Sequence, residues 1–331
     1  MMNFIIRRLL YAVPMLVLVS FLSFVIINLP PGDYLTTMRQ QLQSQAGLTP
    51  EEAREITERM AARYGLDRPF MVQYWEWVKG IVTRGDFGYS FQHNRPVSEV
   101  IWQRLAWTLI IATTCHVISV GIGVVVGIFS ATHKYSFLDN FFTVLAFLGV
   151  SVPNFFVALV IMYYLAFHVK THVGGLFSPQ YVLAPWSWAK FVDFLKHFWV
   201  PIFVVGLAGT AQNMRVMRGN LLDVLNSQYV ETARAKGLPE RTVIYKHAVR
   251  NAIQPIIMYM GMAMPFLIQG EVIASIVLNL PTIGPMFHHA LINQDMYLAG
   301  SFLMMIAVVL ILGNLLADIL LAWMDPRVRY E

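Results

Sequence analysis

The stretch LAWTLIIATTCHVISVGIGVVVGIFSA, residues 105–131, contains no aspartate, glutamate, lysine or arginine. It is too long and too uncharged for the core helix of a soluble domain, and about 20 such residues span the ~30 Å hydrocarbon core of a bilayer. Its apolar residues are continuous and do not alternate with polar ones, which excludes a strand of a membrane barrel. The stretch therefore predicts a transmembrane helix.

Stretches of this kind recur along the chain, which has 331 residues, 57% of them apolar and 13% charged. The mean hydropathy is +0.56. These values predict an all-α integral membrane protein with six transmembrane helices. The predicted spans are 9–29, 105–131, 140–167, 199–219, 252–278 and 298–323. The first is expected to be a retained span and not a signal peptide, because its apolar run is long and no small-residue cleavage site follows it.

The basic residues of the short loops predict the orientation, because lysine and arginine remain on the cytoplasmic side. Arg7, Lys134 and the basic residues within 215–250 fall on one side of a six-span arrangement. The loop 279–297, on the opposite side, contains no lysine or arginine. Loops longer than about 60 residues escape this rule, so the arginines of 30–104 are compatible with an outer position. We therefore predict that both termini are cytoplasmic.

This orientation divides the chain into three segments. Residues 1–29 would form a cytoplasmic start and the first span, residues 30–104 an extracytoplasmic segment, and residues 105–331 a five-span core with a cytoplasmic loop at 220–250. The extracytoplasmic segment is expected to fold as a helical cap.

Local signals predict the elements of this cap. The run TPEE (49–52) combines an N-cap threonine, a first-turn proline and a Thr-x-x-Glu capping box, which predicts a helix over 50–64. A second helix is expected over 71–81, and RGDFGYS (84–90) is expected to form a turn.

Composition excludes several classes of function. The net charge of +5 is accounted for by the positive-inside bias, so no nucleic-acid partner is expected. Cys115 is the only cysteine, which excludes an intrachain disulfide and a thiolate metal cluster. The pairs His168/His172 and His288/His289 have no carboxylate or cysteine at ligand spacing, so no metal is expected.

No ATP-binding loop is present. Gly121, Gly123 and Gly127 lie in an apolar span with no strand before them, so they predict close helix packing and not a phosphate site. The motif G-x-x-x-x-G-K-[ST] does not occur in the sequence. We therefore expect no cofactor in this chain, and any ATP used would bind another subunit.

The segment WSWAKFVDFLKHFW (186–199) mixes aromatic rings with Lys190, Asp193 and Lys196. Such a composition is typical of the lipid interface, where rings lie at the level of the headgroups. The alternative is that this segment contacts the substrate.

The most highly charged part of the core is YVETARAKGLPERTVIYKHAVRN (229–251). Good helix formers are followed by Gly237, which accepts a left-handed conformation, and by Pro239, which can begin a helix but cannot continue one. This pattern predicts a short helix, a sharp turn and a second helix that leads into the span at 252–278. Movement of the short helix would then be transmitted to the membrane.

The short helix is suited to docking into a groove of a partner protein. Ala233, Ala235 and Gly237 are small enough for a partner backbone to approach, and polar contacts around that approach could come from Glu231, Arg234 and Lys236. The alternative is a basic amphipathic helix on anionic lipid, but the helix is short and its apolar face is small.

The run ETARAKG (231–237) resembles the EAA signature of ABC-importer permeases, with Thr232 in place of the middle alanine. The following HAVRNAIQP (247–255) resembles the peptide-transport subclass. Further resemblances are RRLL (7–10), PGD (31–33), YGLDRP (64–69), QYWEWV (73–78), GDFGYS (85–90), RPV (95–97) and DPRVR (325–329). Over nearly its whole length the chain is similar to the first of the two permease subunits of dipeptide and oligopeptide importers.

This resemblance implies a multi-pass permease of the prokaryotic inner membrane. Its implied partners are a homologous second permease, two cytoplasmic ATPase subunits that bind ATP and magnesium, and an extracytoplasmic solute-binding protein. The resemblance places Glu231, Ala233 and Gly237 at the signature positions. Together with the polar Arg234 and Lys236, they are the residues expected to couple this chain to the ATPases.

Departures from the family pattern leave the substrate open. Where the family usually has a glutamate followed by Pro-Gly-x-Gly, this chain has Ser275 and PTIG (281–284). Relatives of this type carry peptides, nickel chelates, glutathione or oligosaccharides. Gln269 and Glu271 lie in the fifth span, so they could face a translocation path, or Glu271 could be solvated at the outer end.

A membrane-embedded hydrolase is the alternative from another class of protein. Its histidines would need a serine or a metal motif beside them, and neither G-x-S-x-G nor H-E-x-x-H occurs in the sequence.

Overall fold

The computed structural model describes residues 2–29, 34–44, 46–171 and 174–324. The description does not include the side chains of 2–5, 9, 41, 261–271, 316–318 and 320–324. The motifs PGD (31–33) and DPRVR (325–329) lie outside the described residues, as does His172.

The described residues are mainly helical, which confirms the predicted all-α class. In chain order the helices are α1 (Met2–Asn28), α2 (Tyr34–Ser44), α3 (Pro50–Tyr64), α4 (Phe70–Arg84), α5 (Val97–Thr132), α6 (Phe137–Ser151), α7 (Asn154–Tyr164), α8 (Trp188–Leu225), α9 (Gln228–Ala235), α10 (Glu240–Thr242), α11 (Val249–Ala252), α12 (Gln254–Val277), α13 (Ile283–Ile292) and α14 (Met296–Met324). Shorter turns are the π-helical segments Leu165–Val169 and Val243–Ala248 and the 3₁₀ segment Pro179–Tyr181. A two-residue hairpin pairs β1 (Tyr89–Ser90) antiparallel with β2 (Arg95–Pro96).

Several helices are long and apolar enough to cross a membrane. Among the described residues there are four, Ile6–Asn28, Val97–Thr132, Trp188–Leu225 and Met296–Leu315, or five if α6 and the segment Asn154–Val169 form one broken span. The two halves of that pair are bent by 102°. The predicted span at 252–278 coincides with α12, whose central side chains are not described.

Contacts within the chain divide it into two compact units. The first unit contains Met1–Trp107 and Thr282–Leu312, and the second contains Thr108–Pro281 and Gly313–Glu331. The predicted division into 1–29, 30–104 and 105–331 refers to the position of each segment relative to the membrane, and it stays a prediction.

In the first unit, α3 begins and ends at the predicted residues. The Thr49 hydroxyl accepts a hydrogen bond from the Glu52 amide (3.4 Å), and the Glu52 carboxylate accepts one from the Thr49 amide (2.9 Å). This reciprocal capping box satisfies two amides at the start of the helix. The helix ends at Gly65 with φ +69°. The predicted helix over 71–81 lies within α4.

The core of the first unit joins residues from distant parts of the sequence. The start of α5 packs with α13 and with the first part of α14, and the buried residues include Val97, Ile101, Ile283, Leu298 and Phe302. Trp77 of α4 donates its indole N–H to the carbonyl of Phe87 (3.1 Å), which fixes the GDFGYS turn to α4.

In the second unit, glycines allow α5 and α8 to approach closely. A Cβ on Gly123 would lie 2.6 Å from the Cβ of Asn213, and one on Gly127 would lie 2.8 Å from the carbonyl oxygen of Met214. The predicted role in helix packing is therefore confirmed for these two glycines. Among the described residues nothing lies within 4 Å of a Cβ built on Gly121, so at that position the glycine does not serve helix packing within the described part of the chain.

Most of the aromatic segment at 186–199 forms the start of α8, which begins at Trp188. Lys190 and Asp193, expected near the headgroups, are both buried. The Lys190 ammonium donates to the carbonyl of Ala184 (2.6 Å), and Asp193 accepts from the Ser178 hydroxyl (2.6 Å). The preceding loop therefore folds against the first turns of α8 and covers these charges.

Candidate functional site

The charged segment in the second unit has the predicted helix–turn–helix form. The short helix is α9, and Gly237 follows it with φ +74°. The Gly237 amide donates to the carbonyl of Arg234 (2.9 Å), which closes the turn. Helical structure resumes at Glu240 and passes through the π-helical segment Val243–Ala248 to α11 and α12. We refer to residues 228–238, which contain the residues predicted to couple the chain to ATPases, as the coupling loop.

One face of the coupling loop is buried against the rest of the second unit. Val230 and Ala233 pack in a cluster of buried residues together with Met217, Leu221, Val243, Ala248, Ala252 and Ile256. This cluster contains parts of α8, α9, the π-helical segment, α11 and α12. Ala233 is 6% exposed, so its small side chain serves packing within the chain and is not available to a partner backbone.

The opposite face is exposed and polar. Glu231, Arg234, Lys236 and Gly237 are all exposed. A Cβ on Gly237 would have none of the described atoms within 4 Å, so the described part of the chain leaves open space at the turn. Four of the five residues that the sequence suggested for coupling are therefore brought together on one accessible surface.

Arg234 also holds the loop in its conformation. Its guanidinium donates to the carboxylate of Glu240 (2.8 Å) and to the carbonyl of Leu225 at the end of α8 (3.5 Å). Arg234 thereby links α9 both to Glu240, on the far side of the turn, and to the end of α8. The Arg234 guanidinium holds the pKa of the Glu240 carboxyl below its ordinary value. Sequence reasoning missed Glu240, although a charge six residues after an arginine across a Gly-x-Pro turn was an available signal.

The two sequence motifs of this region are connected directly. The Asn251 side chain donates to the hydroxyl of Tyr229 (2.8 Å) and to the carbonyl of His247 (3.3 Å). Tyr229 lies in the first turn of α9, so the HAVRNA segment holds the start of the coupling loop. Together with the buried cluster, this contact links α9 mechanically to the helix that continues into α12.

The suggested translocation-path residues, Gln269 and Glu271, lie in α12, but their side chains are outside the described residues. Elsewhere in the second unit is a cavity of about 340 Å³, whose lining includes Asp193, Lys196 and His197. The Asp193 carboxylate is already bonded to the amide and hydroxyl of Ser178 (2.8 and 2.6 Å). This carboxylate therefore fixes the loop that borders the cavity.

A serine, a histidine and an aspartate do meet in the first unit, which bears on the hydrolase alternative. The Ser90 hydroxyl donates to Asp295 (2.7 Å), and His93 Nδ1 lies 3.2 Å from the same hydroxyl. In a hydrolytic triad the imidazole lies between serine and carboxylate, so that it can remove the serine proton. Here serine is the central group and is fully buried, so the cluster has the geometry of a structural network.

Two family models match most of the sequence. The family model for the binding-protein-dependent transport system inner membrane component matches residues 123–330, and the model for the N-terminal part of such membrane components matches residues 1–112. The oligopeptide transport system permease protein AppB of Bacillus subtilis (strain 168) is 35% identical over 331 residues, covering 100% of both chains. The glutathione transport system permease protein GsiC of Shigella flexneri serotype 5b is 32% identical over 333 residues, also with 100% coverage of both.

A solved structure of the MetNI methionine ABC transporter in inward-facing conformations has a similar fold. The TM-score is 0.50, the identity is 14%, and the match covers 69% of this chain and 96% of that one. At this identity the likeness concerns the fold alone, whereas the family models and full-length relatives concern the whole chain. The chain belongs to the inner membrane components of binding-protein-dependent transport systems, the permease subunits of ABC importers.

Proposed function

We propose that this protein is the first of two permease subunits of an importer of short peptides, and that residues 228–238 couple it to cytoplasmic ATPases. The observation that carries the coupling role is the two-sided coupling loop. Its buried face packs in one cluster with residues of α8, α11, α12 and the π-helical segment. Its exposed face presents Glu231, Arg234, Lys236 and Gly237 to a partner.

The peptide assignment is supported by the full-length relatives. AppB is named for oligopeptides and GsiC for glutathione, which is itself a short peptide. Selectivity would be shared with an extracytoplasmic solute-binding protein and with a homologous second permease. The predicted path residues Gln269 and Glu271 would face the passage between the two permeases.

In this mechanism, ATP and magnesium bind the ATPase subunits and not this chain. Closure of the two ATPases moves the docked α9, and the buried cluster transfers that movement to α8 and α12. The central cavity then opens alternately to the outside and to the cytoplasm. Gly237 allows a sharp turn within the docked surface, while Ala233 holds α9 to the core of the chain.

The substrate is tested by reconstituting the full complex in lipid with its solute-binding protein. ATP hydrolysis is measured with pools of short peptides and with pools of oligosaccharides. We expect stimulation by the peptides. Stimulation by sugars alone would exclude the peptide assignment and leave the permease assignment intact.

The orientation is tested separately in intact cells. Cys115 is replaced, and single cysteines are introduced at Glu51 and at Asn226, both of which are exposed. An impermeant thiol reagent should label position 51 and not position 226, because short-loop charge predicts that 226 is cytoplasmic. The reverse pattern would invert the topology and remove the coupling loop from the ATPases.

A further inference from the structure

The start of α6 is joined to α8 by an ion pair between a buried aspartate and a half-buried arginine. Asp139, in the first turn of α6, is 0% exposed, and its two carboxylate oxygens accept from Arg218 Nε (2.8 Å) and Nη2 (2.9 Å). Two parallel hydrogen bonds between a guanidinium and a carboxylate fix orientation as well as distance. This contact therefore resists both separation and rotation of the two helices.

The same carboxylate fixes the turn that precedes α6. It accepts a hydrogen bond from the amide of Tyr135 (2.9 Å), which has φ +64°, a conformation that residues other than glycine rarely adopt. The Asp139 amide donates to the Ser136 hydroxyl (3.2 Å). Displacement of Asp139 from Arg218 would thus also disturb the turn, so α6 and its preceding turn are held to α8 as one piece.

Arg218 lies in the part of α8 that also packs against the coupling loop. Its neighbours Met217 and Leu221 are fully buried in the cluster that contains Val230 and Ala233 of α9. The helix α8 ends at Leu225, and α9 begins at Gln228. One stretch of α8 therefore contacts the coupling loop through apolar packing and α6 through an ion pair.

The far end of α6 is a break in the chain direction. The helix ends at Ser151, Val152 is extended (φ −90°, ψ 124°), and Pro153 precedes α7. The helical segments on either side are bent by 102°. Proline cannot continue the backbone hydrogen bonds of α6, so the helix is interrupted here. The angle between α6 and α7 can change at this interruption without breaking hydrogen bonds inside either helix.

We infer that Asp139 and Arg218 are positioning residues for transport, which make α6 follow the coupling loop and pivot at Val152–Pro153. The inference rests on the proposed function, because that function attributes the movement of α9 to the ATPases. Near Gly149 the packing of α6 on α8 is apolar and tight, because a Cβ there would lie 3.3 Å from Ala211 Cβ and from Leu207 Cγ. The Arg215 guanidinium also lies 4.8 Å from the ring of Phe147. The bidentate pair adds the contact that fixes the direction in which movement of α8 becomes movement of α6.

The first test measures movement in the assembled complex. In a background without Cys115, spin labels are placed at Phe137, which is 82% exposed, and at Asn226. We expect one narrow distance distribution, unchanged between the nucleotide-free and vanadate-trapped states. Arg218→Lys retains the charge but loses the planar fork, so it should broaden the distribution or make it depend on nucleotide. A wild-type distribution in both states of this variant would overturn the inference.

The second test measures uptake per ATP hydrolysed, normalised to assembled complex. Arg218→Lys and Asp139→Asn should each lower this ratio about tenfold, and the double variant no further, because the two residues act as a unit. The control is Arg54→Lys, since Arg54 forms an exposed pair with Glu58 and should leave the ratio unchanged. A purely structural role would reduce the amount of complex without changing the ratio, and that result would overturn the inference. The distance measurement needs no transported solute, so its result does not depend on the peptide assignment. A mistaken peptide assignment would affect only the uptake measurement.

Discussion

The hydroxyl of Ser90 donates a hydrogen bond of 2.7 Å to the carboxylate of Asp295, which lies 205 residues further along the chain. The same carboxylate accepts from the amides of Gln92 (3.2 Å) and Leu298 (3.4 Å). Asp295 therefore caps the start of α14 and holds the GDFGYS hairpin against it. Both Ser90 and Asp295 are 0% exposed, so water does not compete for these hydrogen bonds.

Loss of the Ser90 hydroxyl should loosen this junction. Ser90→Ala removes one donor from a buried carboxylate, which costs about 1–3 kcal/mol. We expect faster hydrogen exchange at the amides of Gln92 and Leu298 in the assembled complex. Thr83→Ala is the matched control, because the exposed Thr83 hydroxyl donates to the carbonyl of Lys79 in its own helix. Equal exchange in the two variants would contradict a stabilising role for the junction.

The junction also predicts a pH dependence through His93. Burial lowers the pKa of His93 below its ordinary 6.5, with further lowering by Arg104, His289 and Arg95, although Asp295 acts in the opposite direction. A depressed folded pKa means that the neutral imidazole stabilises the fold above pH 6.5, and that this stability is lost as pH falls through the folded value.

Burial raises the pKa of the Asp295 carboxyl above its ordinary value. Protonation of Asp295 on acidification therefore stabilises the folded state, which is opposite to the effect of protonating His93. His93→Gln isolates the histidine contribution. We expect the thermal unfolding midpoint of the wild-type complex to fall relative to that of His93→Gln between pH about 7.5 and about 5. Parallel curves over this range would show that His93 does not titrate in the predicted sense.

The helices whose signals are local could be predicted from the sequence, and the long-range contacts could not. Thr49 and Glu52 are three residues apart, so the capping box could be recognised in the sequence. Gly237, followed by Pro239, likewise predicted the turn after α9 from neighbouring residues alone. Ser90 with Asp295 and Asp139 with Arg218 are brought together only by the fold. Nothing near either carboxylate in the sequence indicates its partner.

The start of α8 shows a burial that composition does not reveal. Mixed aromatic and charged residues predicted a segment at the lipid interface, which stays a prediction, but they did not indicate that Lys190 is only 6% exposed. Its ammonium lies 4.9 Å from the ring of Phe177 and 5.4 Å from that of Trp186. Both rings come from the preceding loop, and a lysine surrounded by aromatic faces and carbonyls can be buried at modest cost. The sequence contained the partners but not their arrangement.

This arrangement predicts that Lys190 orders the loop before α8. Lys190→Ala removes a charged donor from the carbonyl of Ala184 and two cation–π contacts, which should cost about 1.5–3 kcal/mol. Hydrogen exchange over residues 176–187 should rise in the variant. Lys196→Ala, on the same helix but exposed, should leave that exchange unchanged. If both variants exchange like the wild type, the buried lysine does not hold the loop.

The turn of the coupling loop gives the sharpest test of function. Gly237 has φ +74°, and a Cβ there would meet none of the described residues within 4 Å. Gly237→Val therefore adds no clash with the described part of the chain, but a β-branched residue at positive φ costs roughly 1–2 kcal/mol in backbone strain. We expect uptake to fall sharply while membrane insertion is retained. Gly47→Val is the matched control, because Gly47 has φ +66° and equally open surroundings but lies between α2 and α3.

Gly237→Asn separates the two reasons for a glycine in this turn. Asparagine tolerates the left-handed conformation but adds a side chain. If only the backbone conformation matters, Gly237→Asn should restore most of the uptake that Gly237→Val loses. If an ATPase subunit packs directly on the turn, both variants should fail to bind the ATPases, as measured by co-purification. Normal uptake and normal co-purification in Gly237→Val would contradict the coupling role, because neither strain nor a side chain at the turn would then affect the partner.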